Sequence, residues 1–240
     1  MSFEIVVARD AADAAERAAA LLVDLAHSGG VVALAGGSTP RAAYALAAAA
    51  EPDWSRVDVW YGDDRVVPAD DERSNQHLVA TSLLPGLGAP PVLHPIRPGL
   101  TPDEAAAAYD TELKGVRLDL VLLGLGADGH TASLFPGKPA LSETNRRAVA
   151  TAPGLAPWVD RVTMTIPMLA SGEHVVFLAV GADKAEPARR AFGEPPSQAT
   201  PASLVRSAAG RTTVILDEAA ASQLLEGGHG DRTPGYARHT

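Results

Sequence analysis

Apolar and polar positions along the chain follow two periods in alternation. Short apolar runs at Glu4–Ala8, at 31–35 (VVALA), at 58–61 (DVWY) and at 118–124 (LDLVLLG) read as strands. The last is apolar on both faces, which suits the middle of a parallel sheet. Between them lie Ala-rich stretches with helical spacing. Asp10 is placed to cap a helix over 11–27 that Gly29 and Gly30 close, and Pro40 suits the first turn of a helix reaching Ala50. Ser74 precedes a helix to about Leu83. Thr101 and Pro102, with Glu104 three residues after the cap, open another to Lys114. RAVAT, RVTMT and HVVFLAV then predict strands, followed by a helix over 182–192, a strand over 212–216 and a helix over 217–225.

Such alternation predicts an α/β fold, a doubly wound and mostly parallel sheet with helices on both faces. No internal repeat or linker divides the chain, so a single α/β catalytic domain is expected over 1–226. The turn-rich segments around 136–158 suit a small excursion or lid. The polar, Gly-rich tail 227–240 is expected to be disordered, which leaves His229 and His239 without a role.

Composition narrows the function. With 20 Lys and Arg against 29 Asp and Glu, the formal charge is −9 and there is no basic stripe, so nucleic-acid binding is not expected. An acidic chain that binds an anionic metabolite must gather its few cations or backbone N–H groups at one place. The chain contains no cysteine, which excludes disulfides, thiolate metal sites and a cysteine nucleophile. The start MSFEIVVARD has neither a basic segment nor an apolar leader, and no stretch approaches membrane-spanning length, so a cytoplasmic protein without membrane association is expected.

Three loops following apolar strands carry candidate chemistry. Gly124, Gly126 and Gly129 spell a G-x-G-x-x-G, but Phe135-Pro136-Gly137 stops any helix within two turns and no strand ending in Asp or Glu lies about 20 residues on, so the dinucleotide reading fails. The glycines instead deliver Asp128 and His130 at a strand end, with Thr131 and Ser133 as nearby donors. AGGSTPR at 35–41 places Gly36, Gly37, Ser38 and Thr39 before a helix whose positive end could cradle a phosphate. The polar stretch 61–75 carries Asp63, Asp64 and Arg65, and Lys184 follows a fourth strand. In a parallel sheet these loops open on one edge. His27, His77, His94 and His174 show no metal-ligand spacing.

Read together, AGGSTP, the DDRVVP…SN loop, LGLGADGHTASLFPG, DRVTMT, the GADK turn and PASLV resemble the 6-phosphogluconolactonase family, in order and across about residues 30 to 205. The resemblance implies a Rossmann-like fold of the sugar-phosphate isomerase type. It also implies hydrolysis of 6-phosphoglucono-δ-lactone in the oxidative pentose phosphate pathway, without metal or cofactor. By residue matching, His130 corresponds to the general base, Gly37, Ser38 and Thr39 to the phosphate loop, Lys184 to a phosphate-side cation and Arg65 to a substrate-binding arginine. Asp63 would orient His130 or bind a substrate hydroxyl, and Asp128 is the other candidate for the orienting group. The partner expected is a small sugar-phosphate lactone, and the chain is expected to be a monomer or weak homodimer.

Departures from the family pattern are Asp64 in place of Glu, Ala35 in place of Ser, Ala127 in place of Glu, and APWVDR in place of a Pro-Lys-Pro run. The related glucosamine-6-phosphate deaminases resemble this chain in fold and in the D-G-H turn, but carry a carboxylate five residues after the histidine. Here that position is Phe135. An apolar ring cannot move a proton, which favours the lactonase over the deaminase. A non-catalytic sugar-phosphate binding protein is the other alternative, and the intact His130, Asp63 and Arg65 argue against it.

Overall fold

The computed structural model describes residues 3–208 and 210–226. The expected tail at 227–240, with His229 and His239, lies outside the described residues. The strands are β1 (Glu4–Ala8), β2 (Gly30–Leu34), β3 (Val57–Tyr61), β4 (Asp63–Arg65), β5 (Val92–His94), β6 (Leu120–Leu123), β7 (Ala148–Thr151), β8 (Arg161–Met164), β9 (His174–Ala179) and β10 (Arg211–Asp217). The α-helices are α1 (Ala11–Ser28), α2 (Ser38–Ala50), α3 (Asn75–Ser82), α4 (Pro102–Glu112), α5 (Ile166–Ala170), α6 (Ala185–Ala188) and α7 (Glu218–Glu226).

Local signals set most helix starts. The Asp10 carboxylate accepts from the Asp13 N–H, the Ser74 hydroxyl accepts from the Gln76 and His77 N–H groups, and Thr101 and Glu104 form a reciprocal capping box. Gly29 ends α1 with φ +77°, a left-handed value open to glycine. One helix starts earlier than expected: α2 begins at Ser38, so Ser38 and Thr39 belong to its first turn. The expected helix over 182–192 is not uniform either. It is a 3₁₀ turn at 182–184, then α6, then a π-helical turn at 189–193.

Seven strands form one parallel sheet in the order β1-β10-β9-β6-β2-β3-β5. The chain winds outward from β2 through β3 to β5 on one side, and from β6 through β9 to β10 on the other. The direction therefore reverses between β2 and β6, and the crevice beyond their carboxyl ends is where open α/β sheets hold ligands. β6 pairs with β9 and β2, and all four of its residues are buried, as its run of Leu and Val requires.

A second, three-stranded sheet in the order β4-β8-β7 is antiparallel and was not anticipated. Residues 63–65 read as a polar loop because Asp, Asp and Arg disfavour strands. They nevertheless pair with β8, and each carboxylate is satisfied by specific donors described below. Residues of both sheets share one apolar cluster, with Val149, Val162 and Met164 joined to Leu122 and Val175. Among the described residues no helix is long and apolar enough to cross a membrane.

Two buried tyrosines pin the strand ends that lead to the crevice. The Tyr44 hydroxyl donates to the Ala35 carbonyl (2.7 Å) and accepts from the Ala35 N–H (3.0 Å), just beyond β2. Tyr109 does the same to Tyr61 at the end of β3, donating at 3.0 Å and accepting at 2.9 Å. Each phenol satisfies two backbone groups, which would otherwise stay buried without partners at a cost of about 1–3 kcal/mol each.

At the opposite, amino-terminal edge of the sheet, His174 is buried and its Nε2 lies 2.9 Å from the Thr213 hydroxyl. Burial, with the nearby Arg211 cation adding to it, lowers its pKa from 6.5 to about 4. The folded state thus binds fewer protons than the unfolded chain between those values, so His174 lowers stability as pH falls from 6.5 toward 4 and contributes nothing above that window. Replacing His174→Gln should remove this term. The Tm difference, wild type minus variant, should be constant above ~pH 7 and shrink toward pH 4; a pH-independent difference would exclude the assignment.

Candidate functional site

The turn after β6 is built around absent side chains. A Cβ on Gly126 would stand 2.0 Å from the His130 Nδ1, so any other residue there displaces the imidazole. Gly129 has φ +87°, and a Cβ on it would meet the Thr200 side chain at 2.8 Å. The turn closes with the Gly126 N–H donating to the His130 carbonyl (2.8 Å), the Gly129 N–H to the Gly126 carbonyl (2.9 Å) and the Thr131 hydroxyl to the Gly124 carbonyl (2.8 Å). The backbone groups of 127–129 face outward: the Arg190 guanidinium reaches the carbonyls of Ala127 (3.3 Å) and Asp128 (3.5 Å), and the Ala202 N–H reaches that of Gly129 (3.0 Å).

Inside this turn the His130 Nδ1 lies 2.5 Å from the Asp128 carboxylate, which also accepts the His130 backbone N–H at 3.0 Å. Burial pushes the Asp128 carboxyl up, but the hydrogen bonds and charge of His130 outweigh it and hold the group below the ordinary carboxylate range. With Nδ1–H committed to Asp128, the other nitrogen, Nε2, carries the lone pair. The Phe135 ring packs against the imidazole at 4.6 Å between centroids. Between them Ala132 adopts φ +48°, a conformation worth about 1–2 kcal/mol of strain in a residue with a Cβ.

Of the two candidate orienting carboxylates, Asp128 therefore contacts the imidazole and Asp63 does not. Asp63 is buried at the start of β4, where it accepts from the Ser133 hydroxyl (2.5 Å) and the Asn75 amide (3.2 Å). It braces the loop three residues beyond His130 rather than the ring itself. Asp64 is fully buried and accepts from the N–H groups of Arg65 (2.7 Å), Asn75 (2.7 Å) and Gln76 (3.1 Å) and from the Ser74 hydroxyl (3.1 Å). Burial raises its pKa despite those donors. It serves as a second cap for α3.

The amino end of α2 begins at Gly37, φ +113°, with no side chain capping its first N–H groups. Exposed Ser38 and half-buried Thr39 stand beside them. Gly36 is dictated by a neighbour, since a Cβ there would fall 2.0 Å from the Asn75 Oδ1. Lys184 follows β9 through Gly181, whose N–H is held by the Asp217 carboxylate at 3.0 Å. The Lys184 ammonium pairs with Asp183 at 3.1 Å and does not bond to residues 36–39. Arg65 is half-buried and donates to the Arg73 carbonyl.

The strand order thus brings Gly36, Gly37, Ser38 and Thr39 to one side of the crevice and Asp128 and His130 to the other. Asp63 and Arg65 flank the first group, and Lys184 stands one strand beyond the second. Ser133, expected as a donor near His130, belongs to this surround, and so do Asn75, Arg161 and Arg190, which the sequence candidates omitted. Their only sequence signals were the SN and DGHTAS strings and an arginine after an apparently irregular segment. Among the described residues no cluster of three or more His, Asp or Glu side chains is arranged to hold a metal ion.

These features define an α/β enzyme with a histidine–carboxylate pair at the switch point of a parallel sheet. The family of glucosamine-6-phosphate isomerases and 6-phosphogluconolactonases matches residues 6–214, and the chain belongs to it. The 6-phosphogluconolactonase of Synechocystis sp. is 36% identical over 208 residues, covering 81% of this chain and 85% of its own. That of Streptomyces coelicolor is 35% identical, covering 92% and 94%. The structure of the 6-phosphogluconolactonase from Trypanosoma cruzi superposes with a TM-score of 0.83 at 29% identity, covering 93% of this chain and 98% of that one.

The glycine geometry makes a paired test. Gly126→Ala should push the imidazole off Asp128 and abolish the downfield Nδ1–H resonance of His130. Gly124→Ala, where a Cβ meets nothing within 4 Å, should keep it. Identical histidine spectra in the two variants would contradict the role given to Gly126.

Proposed function

We propose that this chain hydrolyses 6-phospho-D-glucono-1,5-lactone to 6-phospho-D-gluconate, in the cytoplasm, as the lactone-opening step of the oxidative pentose phosphate pathway. The observation that carries the mechanism is the 2.5 Å contact between Asp128 and the His130 Nδ1. It leaves Nε2 free to accept a proton from water as the water oxygen attacks the lactone carbonyl carbon. Collapse of the tetrahedral adduct breaks the bond to the ring oxygen, which takes the proton back from the imidazolium and leaves as a hydroxyl. The remaining carboxylic acid loses its own proton to solvent. Asp128 stabilises the transient imidazolium.

The phosphate is held by the uncapped first-turn N–H groups of α2 with the Ser38 and Thr39 hydroxyls, where the helix dipole favours an anion. Lys184 contributes by releasing Asp183 and turning toward that phosphate. Arg65 faces the sugar and the carbonyl oxygen. Family membership supports the substrate class, and Phe135 supports hydrolysis over aldose–ketose proton transfer, because it places an apolar ring where the deaminase pattern has a carboxylate.

In a lactone-hydrolysis assay corrected for spontaneous opening, His130→Ala should lower kcat by ~10²-fold or more with little change in KM. Lys184→Ala should mainly raise KM for the phosphorylated lactone and leave unphosphorylated gluconolactone unaffected. Purified protein with no rate above background would refute the lactonase reading. Ammonia release from glucosamine 6-phosphate would point to the deaminase.

A further inference from the structure

β4 and β8 pair in a register that sets Arg65 directly opposite Arg161. Like charges facing each other across strands are unfavourable, and burial makes them more so. Arg161 is only 3% exposed. Some other arginines lean on carboxylates, as Arg17 does on Asp13 and Arg190 on Glu186, whereas the buried Arg206 instead donates to three backbone carbonyls. Among the described residues neither Arg65 nor Arg161 has an ion-pair partner.

The hydrogen-bonding capacity of the pair is also unspent. The Arg161 Nη2 donates to the carbonyls of Leu155 (3.3 Å) and Pro157 (3.1 Å), and one Arg65 nitrogen donates to the Arg73 carbonyl. The Nε of each is buried without a partner. Asp63 and Asp64 are close enough to attract Arg161, yet their oxygens are committed to Ser133, Asn75, Ser74 and backbone N–H groups. Burial and the Arg65 charge together lower the Arg161 pKa. The fold therefore keeps two guanidinium groups side by side with no anion between them.

Their position ties this to the site. The Arg161 guanidinium carbon lies 5.4 Å from the centroid of the Phe135 ring, and the same ring packs on His130. We propose that Arg65 and Arg161 form one oxyanion-binding site beside His130, and that Arg161 is a substrate-binding residue of the reaction. The inference rests on the lactonase reading for the identity of the substrate. The shared chemistry is an oxyanion gripped by guanidinium N–H groups. It has two possible sources in the ligand: the carboxylate that ring opening creates, or the phosphate at the other end.

The test measures binding by calorimetry at constant ionic strength, with 6-phosphogluconate, inorganic phosphate and gluconate, on wild type, Arg161→Met, Arg65→Met and the double variant. Arg161→Met should keep a ligand-free Tm equal to or above wild type, because it removes an unpaired buried charge, and should weaken 6-phosphogluconate binding about 10-fold or more. The double variant should be little weaker than either single one, since both arginines serve one anion. Loss of inorganic phosphate binding in Arg161→Met assigns the pair to the phosphate; its retention, with 6-phosphogluconate weakened, assigns the pair to the carboxylate.

Unchanged 6-phosphogluconate affinity in Arg161→Met overturns the proposal. If that variant does not fold, Arg161→Lys keeps the charge but loses the fork, and wild-type affinity in it overturns the proposal equally. A protein that binds these anions through both arginines yet opens no lactone would keep the site and lose the lactonase reading. A competent lactonase with unchanged KM and product affinity in Arg161→Met would do the reverse.

Discussion

The hydrogen bond between Asp128 and the His130 Nδ1 is the contact on which the rest of the site depends, and it exists only because position 126 lacks a side chain. Two residues apart, a carboxylate and an imidazole meet only if the backbone between them folds back sharply, which Gly129 allows with its left-handed conformation. The turn is then held from outside: Arg190 and Ala202 take the carbonyls of 127–129, and Thr131 takes that of Gly124. None of these groups touches the free imidazole nitrogen. They fix the backbone, and the backbone fixes the ring.

The same principle operates on the other side of the crevice with different residues. Tyr44 and Tyr109 each clamp a strand end through both backbone groups of one residue, and Asp217 holds the Gly181 N–H that leads to Lys184. A parallel sheet gives each loop a common edge, but it does not by itself set where a loop residue lies. That precision comes from buried polar side chains bonded to backbone, which are satisfied in one geometry and costly in any other. In a chain of net charge −9, it also lets Arg65 and Arg161 stand at one edge without an ion-pair partner among the described residues, while Lys184 and Arg190 nearby pair with Asp183 and Glu186.

Much of this was legible in the sequence because local rules were obeyed. The capping residues at Asp10, Ser74 and Thr101, the doubly apolar run of β6 and the failure of a helix after Phe135 all act through near neighbours. What escaped was long-range. Strand β4 looks like a loop because its acids find side-chain and backbone partners as far as ten to seventy residues away, and no propensity registers that. Arg161 becomes notable only when β8 lies against β4, and Arg190 only when a π-helical turn aims it at a carbonyl sixty-two residues earlier. The choice between Asp63 and Asp128 was open for the same reason: both are near the turn in the fold, and only the folded chain brings one of them to the imidazole.

Phe135 shows how one position can separate two chemistries on a shared frame. Its ring lies against His130 and under Arg161, so it is in contact with the base and with one of the unpaired cations. A carboxylate there would supply a second proton carrier for aldose–ketose transfer, and it would also pair with the guanidinium and spend the charge that an incoming oxyanion needs. The apolar ring does neither. It excludes water from one face of the imidazole, leaves Asp128 as the carboxylate bonded to that ring, and keeps Arg161 available. In the proposed mechanism, hydrolysis takes a single proton from water and hands it to the leaving oxygen, a task for one histidine held by one aspartate. On the proposed mechanism, a ring in place of an acid withholds the second proton carrier that aldose–ketose transfer needs and leaves what hydrolysis needs in place.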